Sequence, residues 1–439
     1  MKLHSETYDS YKKTEGEWSE TIPSEWQEKR VKDIFRLVTD AAPADNDYEL
    51  LSVYAGIGVK PRKDLEARGN KASSTDGYWI VRKNDIVVNK LLAWMGSVGL
   101  SEYEGVTSPA YDVLRQVSKD IDPRYFAYLF RTEIAKKIFR KNSRGIMDMR
   151  LRLYFDKLGA ITVPYPSQKE QSLISDYIDV KTSKIDKKIS LLRRKIELYR
   201  KLKENIIRKT IFTGLNPSVE TYDTGIVGFE RIPTHWQLKR FKEIFSKTHT
   251  GWTPNTKSDS SYVGNNIWVT IGDMNQKYVS ESKNKLSEEA IGDSNIIITP
   301  KGSLLFSFKL SVGKVAFAGC DLFTNEAIIS IEKDRNVNLD YFYYALPILL
   351  VLAAKENIYG AKLLNQGLIF NAPLIFPPRD EQENIVKYLD LKVNSTDDFI
   401  DKVERQIEKQ LELRLALIND AVIGNIQIDE NAISEGVNR

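Results

Sequence analysis

Most of what this chain can fold into is set by one fact: it is written twice. Ile22-Pro-Ser-Glu-Trp-Gln-Glu-Lys-Arg-Val-Lys-Asp-Ile-Phe35 returns as Ile232-Pro-Thr-His-Trp-Gln-Leu-Lys-Arg-Phe-Lys-Glu-Ile-Phe245, with nine of 14 positions identical at an offset of 210. Tyr165-Pro-Ser-Gln-Lys-Glu-Gln171 returns as Phe376-Pro-Pro-Arg-Asp-Glu-Gln382, at an offset of 211. That second echo runs on through Tyr177/Tyr388, Asp179/Asp390, Lys181/Lys392, Asp186/Asp397 and Ile189/Ile400. A weaker third echo sets Ser97-Val-Gly99 against Ser311-Val-Gly313. A near-constant spacing over half the chain predicts two copies of one structural plan.

Each copy opens on Ile-Pro-x-x-Trp, and Trp26 and Trp236 read as core anchors there. Strand-like runs follow at Tyr78–Val81, Asp85–Asn89, Ile267–Ile271, Asn295–Thr299 and Ser303–Phe308, between turns such as Thr75-Asp-Gly77. Helices are predicted at Pro123–Lys141 and Leu339–Glu356. The fold class is α+β: two globular domains separated by two long antiparallel helices that form an intramolecular coiled coil, a pseudo-twofold internal repeat. The predicted boundaries are 1–165, 166–216, 217–376 and 377–439.

The long helices are the clearest elements. No Pro or Gly interrupts Glu170–Phe212, and Ile185, Ile189, Leu192, Ile196, Tyr199, Leu202 and Ile206 make a heptad seam. Glu381–Ile423 repeats it with Ile400, Val403, Ile407, Leu411 and Leu417, and Gly214 and Gly424 mark the stops. Asp179 and Asp390 are expected near a break between a short leading helix and the long one. Residues 170–214 hold 12 Lys/Arg against 6 Asp/Glu, whereas 381–424 hold 6 against 10. Opposite net charges favour pairing within one chain over a homodimer zipper, while the apolar seam supplies the drive. Lys181 to Phe212 spans about 48 Å at roughly 1.5 Å per residue, or about one and a half turns of duplex at roughly 3.4 Å per base pair.

Composition excludes several chemistries. With 439 residues and 42% apolar residues the chain can bury substantial cores. One cysteine, Cys320, rules out a disulfide framework and fits a reducing compartment. Three histidines (His4, His235, His249) and one cysteine cannot build a usual zinc site, and so few histidines argue against a Ser/His/Asp or Cys/His nucleophile system. The polar N-terminal stretch lacks the apolar core of a signal peptide, and Tyr341–Ala354 is too short to span a bilayer and contains Pro347. No membrane association is expected. A net charge of +4 is compatible with a nucleic-acid partner without demanding one.

Taken together, these residues resemble the specificity subunit of type I restriction–modification systems. The carriers are the paired Ile-Pro-x-x-Trp openings and the Pro166–Gln171 and Pro377–Gln382 helix starts. Further carriers are Thr253-Pro254 with Ile267-Trp268 and Gly272-Asp273, Leu305–Gly313 with Thr324-Asn325, and Asn89–Gly99 with Ser108–Tyr111. The resemblance implies two target-recognition domains reading a bipartite, asymmetric site on double-stranded DNA, with the helices as a ruler between half-sites. It implies two methyltransferase subunits and restriction–translocase subunits as partners, and a cytoplasmic, prokaryotic setting. S-adenosylmethionine, ATP and magnesium would belong to those partners, and this chain would bind no cofactor. The sequence agrees: Phe376-Pro-Pro-Arg379 lacks the leading Asn/Asp and trailing aromatic of an adenine methyltransferase motif, and no Walker phosphate loop is present. The alternatives are a structural coiled-coil scaffold and a stand-alone DNA-modifying enzyme.

Polar and basic turns are the candidates for DNA contact, since bases are read by Arg, Lys, Asn, Gln, Ser and Thr on a surface that attracts phosphates. In the first copy these are Arg62, Lys63, Arg68, Asn70, Lys71, Ser73 and Ser74; Asn89, Lys90, Trp94, Gly96 and Ser97; and Lys141, Asn142, Ser143, Arg144 and Gly145. In the second they are Thr250, Trp252, Thr253, Asn255, Thr256 and Lys257; Lys309, Ser311, Lys314 and Asn325; and Tyr359, Gly360, Lys362, Asn365 and Gln366. Trp94 and Trp252 read first as packed rings, and Arg193-Arg194-Lys195 as a solvated helix face or a contact to spacer phosphates or a partner.

Overall fold

The computed structural model describes residues 7–64, 74–147, 150–228, 230–254, 259–292, 296–309, 311–356 and 362–434. The chain divides into two compact units, Met1–Arg194 with Glu404–Arg439, and Lys195–Val403.

The first unit is built on an antiparallel sheet of β1 (Phe35–Val38), β2 (Ile86–Asn89), β3 (Val98–Leu100) and β4 (Tyr111–Gln116), in the order β1-β4-β2-β3. Alternation along the strands feeds two cores. Ile86, Val88, Val98 and Leu114 pack into a large helix-covered core, whereas Val38, Val87 and Val113 pack into a smaller one with Val53 and Val81. The predicted helix Pro123–Lys141 is two helices, α1 (Pro123–Leu129) and α2 (Glu133–Asn142). Thr132 divides them: its hydroxyl donates to the Leu129 carbonyl at 2.8 Å and accepts from Ala135 N–H at 3.1 Å, capping α2. Thr162–Tyr165 pairs back onto Gln27–Arg30 before the chain enters α3 (Gln168–Thr213).

The second unit repeats that plan. Its sheet comprises β5 (Thr248–Thr250), β6 (Tyr278–Val279), β7 (Leu304–Ser307), β8 (Val315–Ala318) and β9 (Ile328–Ile331), ordered β5-β9-β7-β8-β6. The first four positions have the connectivity of β1-β4-β2-β3; β6 is an added edge strand, parallel to β8. Leu304, Phe306, Ile329 and Ile331 face the helix-covered core, and Leu305, Ala316 and Ile328 the other side. The helix α4 (Leu339–Leu352) stops short of the predicted Glu356, because Lys355–Glu356 turns into a strand against Lys362–Leu363. The strand predicted at Asn295–Thr299 is absent from its described residues, 296–299. Thr299 forms an isolated bridge with Leu322, and Ile297 and Ile298 stay exposed. The third sequence echo is not a structural one: Gly99 lies within β3, whereas Gly313 turns the chain at φ 98° before β8.

Pro373–Phe376 pairs with Gln237–Arg240 and leads into α5 (Arg379–Val422). Both long helices are continuous, so the break expected near Asp179 and Asp390 does not exist. Those carboxylates instead accept from the hydroxyls of Tyr128 and Tyr344, the latter at 2.6 Å. Within the first unit, the early part of α3 runs antiparallel to the late part of α5. Arg414 Nε donates to Asp186 at 3.1 Å, and Ile174 and Ile178 share a core with Leu417, Ala421 and Val422. Within the second unit, the late part of α3 runs antiparallel to the early part of α5. There Lys203 pairs with Asp397 at 2.5 Å, and the Tyr199 and Phe399 rings lie 4.4 Å apart. The seam is narrower than the heptads predict: Ile185, Ile189, Ile196, Ile400 and Val403 are buried, but Leu202 and Leu411 are 48% and 41% exposed. Among the described residues no helix is long and apolar enough to cross a membrane.

Candidate nucleic-acid interface

What presents the candidate loops is a repeated anchor. Trp26, buried, donates its indole N–H to Glu170 Oε1 at 2.8 Å; Trp236, also buried, donates to Glu381 Oε2 at 2.9 Å. Each glutamate opens a long helix, where a carboxylate also complements the helix dipole. The ring of each Trp covers the end of the other long helix. A Cβ on Gly214 would stand 2.9 Å from Trp236 Cζ2, and one on Gly424 3.1 Å from Trp26 Cη2. Both glycines sit at positive φ, 68° and 78°, the left-handed turn that stops a helix. The anchor reading of Trp26 and Trp236 holds.

In the first unit the described candidate turns converge. The hairpin Leu51–Tyr54/Gly58–Pro61 approaches so closely that a Cβ on Gly99 would lie 2.8 Å from Gly58 Cα. Arg62 and Lys63 follow on a short turn, where Lys63 pairs with Glu49. Ser97 is buried and donates to Val53 O at 3.1 Å. Asn89 is buried too and accepts from Leu91 N–H at 3.0 Å. These two side chains build the turn rather than face solvent. The Lys90 side chain is 19% exposed and lies 3.4 Å from Asp112. Burial pushes the Asp112 carboxyl above its ordinary range, and Lys90 pulls against that shift. Trp94 donates to Leu91 O at 3.1 Å and lies under Arg140 at 5.3 Å, a packed ring. The last turn adjoins this one: Leu153 N–H bonds Lys90 O, and Arg144 bridges Arg152. Lys141 and Arg144 are exposed and pair with Glu17 and Asp156, both at 2.7 Å. Asn142 and Ser143 bond back to Ile138 O and Phe139 O, and Gly145 sits at φ 146°. Ser74 is exposed and accepts from Asp76 N–H. Arg68, Asn70, Lys71 and Ser73 lie outside the described residues.

In the second unit one group gathers at the β5 edge. Gln366 donates to Thr250 Oγ1 at 3.2 Å, Trp252 N–H bonds Thr324 O at 2.9 Å, and Thr253 bonds Glu326. Trp252 is 37% exposed, and its carbonyl accepts from the Trp268 indole. Gly251 is required here, since a Cβ would fall 1.8 Å from Thr324 O. Asn325 N–H bonds Val269 O. Lys314, half-buried, reaches Ile271 O at 3.3 Å and Asn275 Oδ1 at 3.1 Å. Lys309 and Ser311 are exposed on the loop between β7 and β8. Asn365 caps the helix Gln366–Asn371, and Lys362 is exposed on its short strand. Asn255, Thr256, Lys257, Tyr359 and Gly360 lie outside the described residues. On α3, Arg193 and Arg194 are exposed, and Lys195 Nζ sits 4.8 Å above the Phe399 ring.

Sequence reading missed the partners of these residues. Asn275 and Glu326, which hold Lys314 and Thr253, are single polar residues with no pattern around them, although Gly272-Asp273 marks the turn that carries Asn275. Arg131, half-buried beside α5, carried no signal at all.

A family model described as type I restriction modification DNA specificity domain matches residues 23–197 and again 233–412. Among curated proteins, the chain is similar to the type I restriction enzyme MjaIX specificity subunit of Methanocaldococcus jannaschii: 26% identical over 43% of this chain and 44% of that protein. It is also similar to the EcoR124I/EcoR124II specificity subunit of Escherichia coli: 23% identical over 43% of this chain and 48% of that one. The matched stretch thus spans about half the length of each curated relative. A solved structure concerned with complex assembly and conformational transition of the type I R-M system shares the fold, with TM-score 0.70 and 13% identity over 92% of this chain and 99% of that one. The HsdS subunit from Thermoanaerobacter tengcongensis does so with TM-score 0.53 and 14% identity over 92% and 98%. With the specificity domain present twice, each copy on its own sheet and anchored to its own long helix, the chain belongs to the type I restriction–modification specificity subunits.

Proposed function

We propose that this chain selects the DNA target of a type I restriction–modification complex and performs no chemistry itself. Each unit reads one half of a bipartite, asymmetric duplex site. The paired helices set the spacing between halves and dock two methyltransferase subunits, which restriction–translocase subunits join. S-adenosylmethionine, ATP and magnesium act in those partners, in a prokaryotic cytoplasm. The observation that carries the reading is the doubled specificity domain with paired long helices inside each unit. Phe376-Pro-Pro-Arg379 supports the division of labour, because it is the strand-to-helix turn into α5, where Gln382 N–H bonds Pro378 O.

The test is a host carrying this chain and its partner subunits, with methylated adenines mapped across the genome. Inserting four residues after Leu198, about one helical turn, lengthens the spacer and leaves both half-sites unchanged. An unchanged methylated sequence rejects the ruler, and turnover of DNA by the purified chain with magnesium and S-adenosylmethionine rejects the non-catalytic role.

A further inference from the structure

A cavity of about 470 Å³ opens in the first unit between the start of α2 and the late part of α5. Its lining includes Met95, Gly96, Arg131, Glu133, Lys136 and Arg414. Three of these are cations, and two are already matched: Lys136 pairs with Glu133 at 2.6 Å and Arg414 with Asp186 at 3.1 Å. Arg131 is not. It is half-buried, its guanidinium donates to the neutral Gly56 carbonyl at 3.2 Å, and among the described residues no carboxylate pairs with it. Burial, and then the facing Arg414, push that guanidinium below its ordinary range. A half-buried cation facing a second cation is better accommodated when an anion completes the site.

The internal repeat sets this cation apart from the duplicated contacts. Asp186–Arg414 recurs as Asp397–Lys203, and Tyr128–Asp179 recurs as Tyr344–Asp390. The residue three places after Tyr128 is Arg131, whereas three places after Tyr344 stands Pro347. The second unit therefore has no cation at the matching position.

We propose that this cleft holds one phosphodiester of the DNA backbone, gripped by Arg131. The inference rests on the DNA-reading function above. One uncompensated positive charge calls for a monoanion, and the planar fork of a guanidinium fits two phosphate oxygens. Met95 and Gly96, on the cleft wall, come from the same Asn89–Ser97 turn that is a candidate for DNA contact.

The test compares full-length wild type with Arg131→Met, which keeps the apolar stem, and Arg131→Lys, which keeps the charge. Duplex binding of each, assembled with its methyltransferase subunits, is measured across salt concentrations. The slope of log association constant against log salt shrinks by about 0.9 in Arg131→Met, the share of one phosphate. It is retained in Arg131→Lys, and affinity for specific and non-specific duplex falls by the same factor. Inorganic phosphate, at ionic strength matched with chloride, raises the melting temperature of wild type and not of Arg131→Met. An unchanged salt slope in Arg131→Met overturns the proposal and leaves a partner protein's carboxylate as the occupant. If wild type binds no duplex at all, the proposed function falls and the phosphate shift decides the cleft: a shift confined to wild type upholds an oxyanion site, and equal shifts reject it.

Discussion

Glu170 and Glu381 stand 211 positions apart and do the same work in different company. Glu170 accepts from Trp26 and from the buried Tyr8 hydroxyl, at 2.8 and 2.6 Å. Glu381 accepts from Trp236, and its second partner is the exposed ring of His235. The next residues differ in the same sense. Gln171 Oε1 accepts from Asp122 N–H at 3.0 Å, whereas Gln382 Oε1, equally buried, has no partner among the described residues and adjoins a cavity of about 490 Å³. The repeated residues join globule to helix, and the first unit closes that joint more completely. Between the joints the loops diverge: the first unit carries the hairpin Leu51–Tyr54/Gly58–Pro61, the second the added edge strand β6.

The comparison breaks most readily at the glutamates. Glu170→Ala strands two buried donors, at roughly 1–3 kcal/mol each, and should cost the first unit about 3 kcal/mol or more. Glu381→Ala strands one buried donor and should cost the second unit about half as much. Denaturant titration resolves the difference, and equal losses would mean the two joints are energetically alike.

A smaller effect separates the units by pH. His249 is held by Thr299 at 2.9 Å, and burial pushes its imidazole below the ordinary 6.5, with Glu332 working against the shift. Below that value the unfolded chain takes up a proton that the folded second unit refuses. His249 therefore stabilises the second unit fully above about pH 6.5, and that stability is lost as pH falls through its lowered folded value. Among the described residues the first unit contains no histidine. Melting curves from about pH 8 to about pH 5 should show acid sensitivity in the second unit that His249→Asn reduces; identical pH profiles for wild type and variant would exclude it.

The smallest effect sharpens the comparison from the other side. Asp186–Arg414 and Asp397–Lys203 occupy matching places and are partly exposed. Arg414→Ala and Lys203→Ala should each cost at most about 1 kcal/mol, because the buried seam carries the pairing. A loss of several kcal/mol in either variant would move the weight from seam to charge.

The repeat made the scaffold legible, because a duplicated Trp, Gln or Asp must serve a purpose common to both copies. The heptads likewise gave both helices to within about two residues. The strand at Asn295–Thr299 failed because its isoleucines satisfy a local pattern, whereas among the described residues of that stretch only Thr299 bridges a neighbour. Asn89 and Ser97 read as recognition residues by chemistry alone; the structure adds that Asn89 Oδ1 accepts from Leu91 N–H and the Ser97 hydroxyl donates to Val53 O, contacts no pattern in the sequence announces. Arg131 was invisible for the opposite reason: what sets it apart is that among the described residues no carboxylate pairs with it, which only three dimensions reveal.

The Gly424 stop against Trp26 has a consequence for biosynthesis. Leu417, Ile418, Ala421, Val422, Ile423, Ile426 and Ile428 are part of the core that surrounds Trp18 and Trp26. The second unit is one uninterrupted stretch, Lys195–Val403, and leaves the ribosome as a whole. The first unit, although made earlier, stays unfinished until residues beyond 404 emerge. The head translated first is thus the last to be sealed, and nascent chains that stall near position 400 would display its uncovered aromatic core to chaperones.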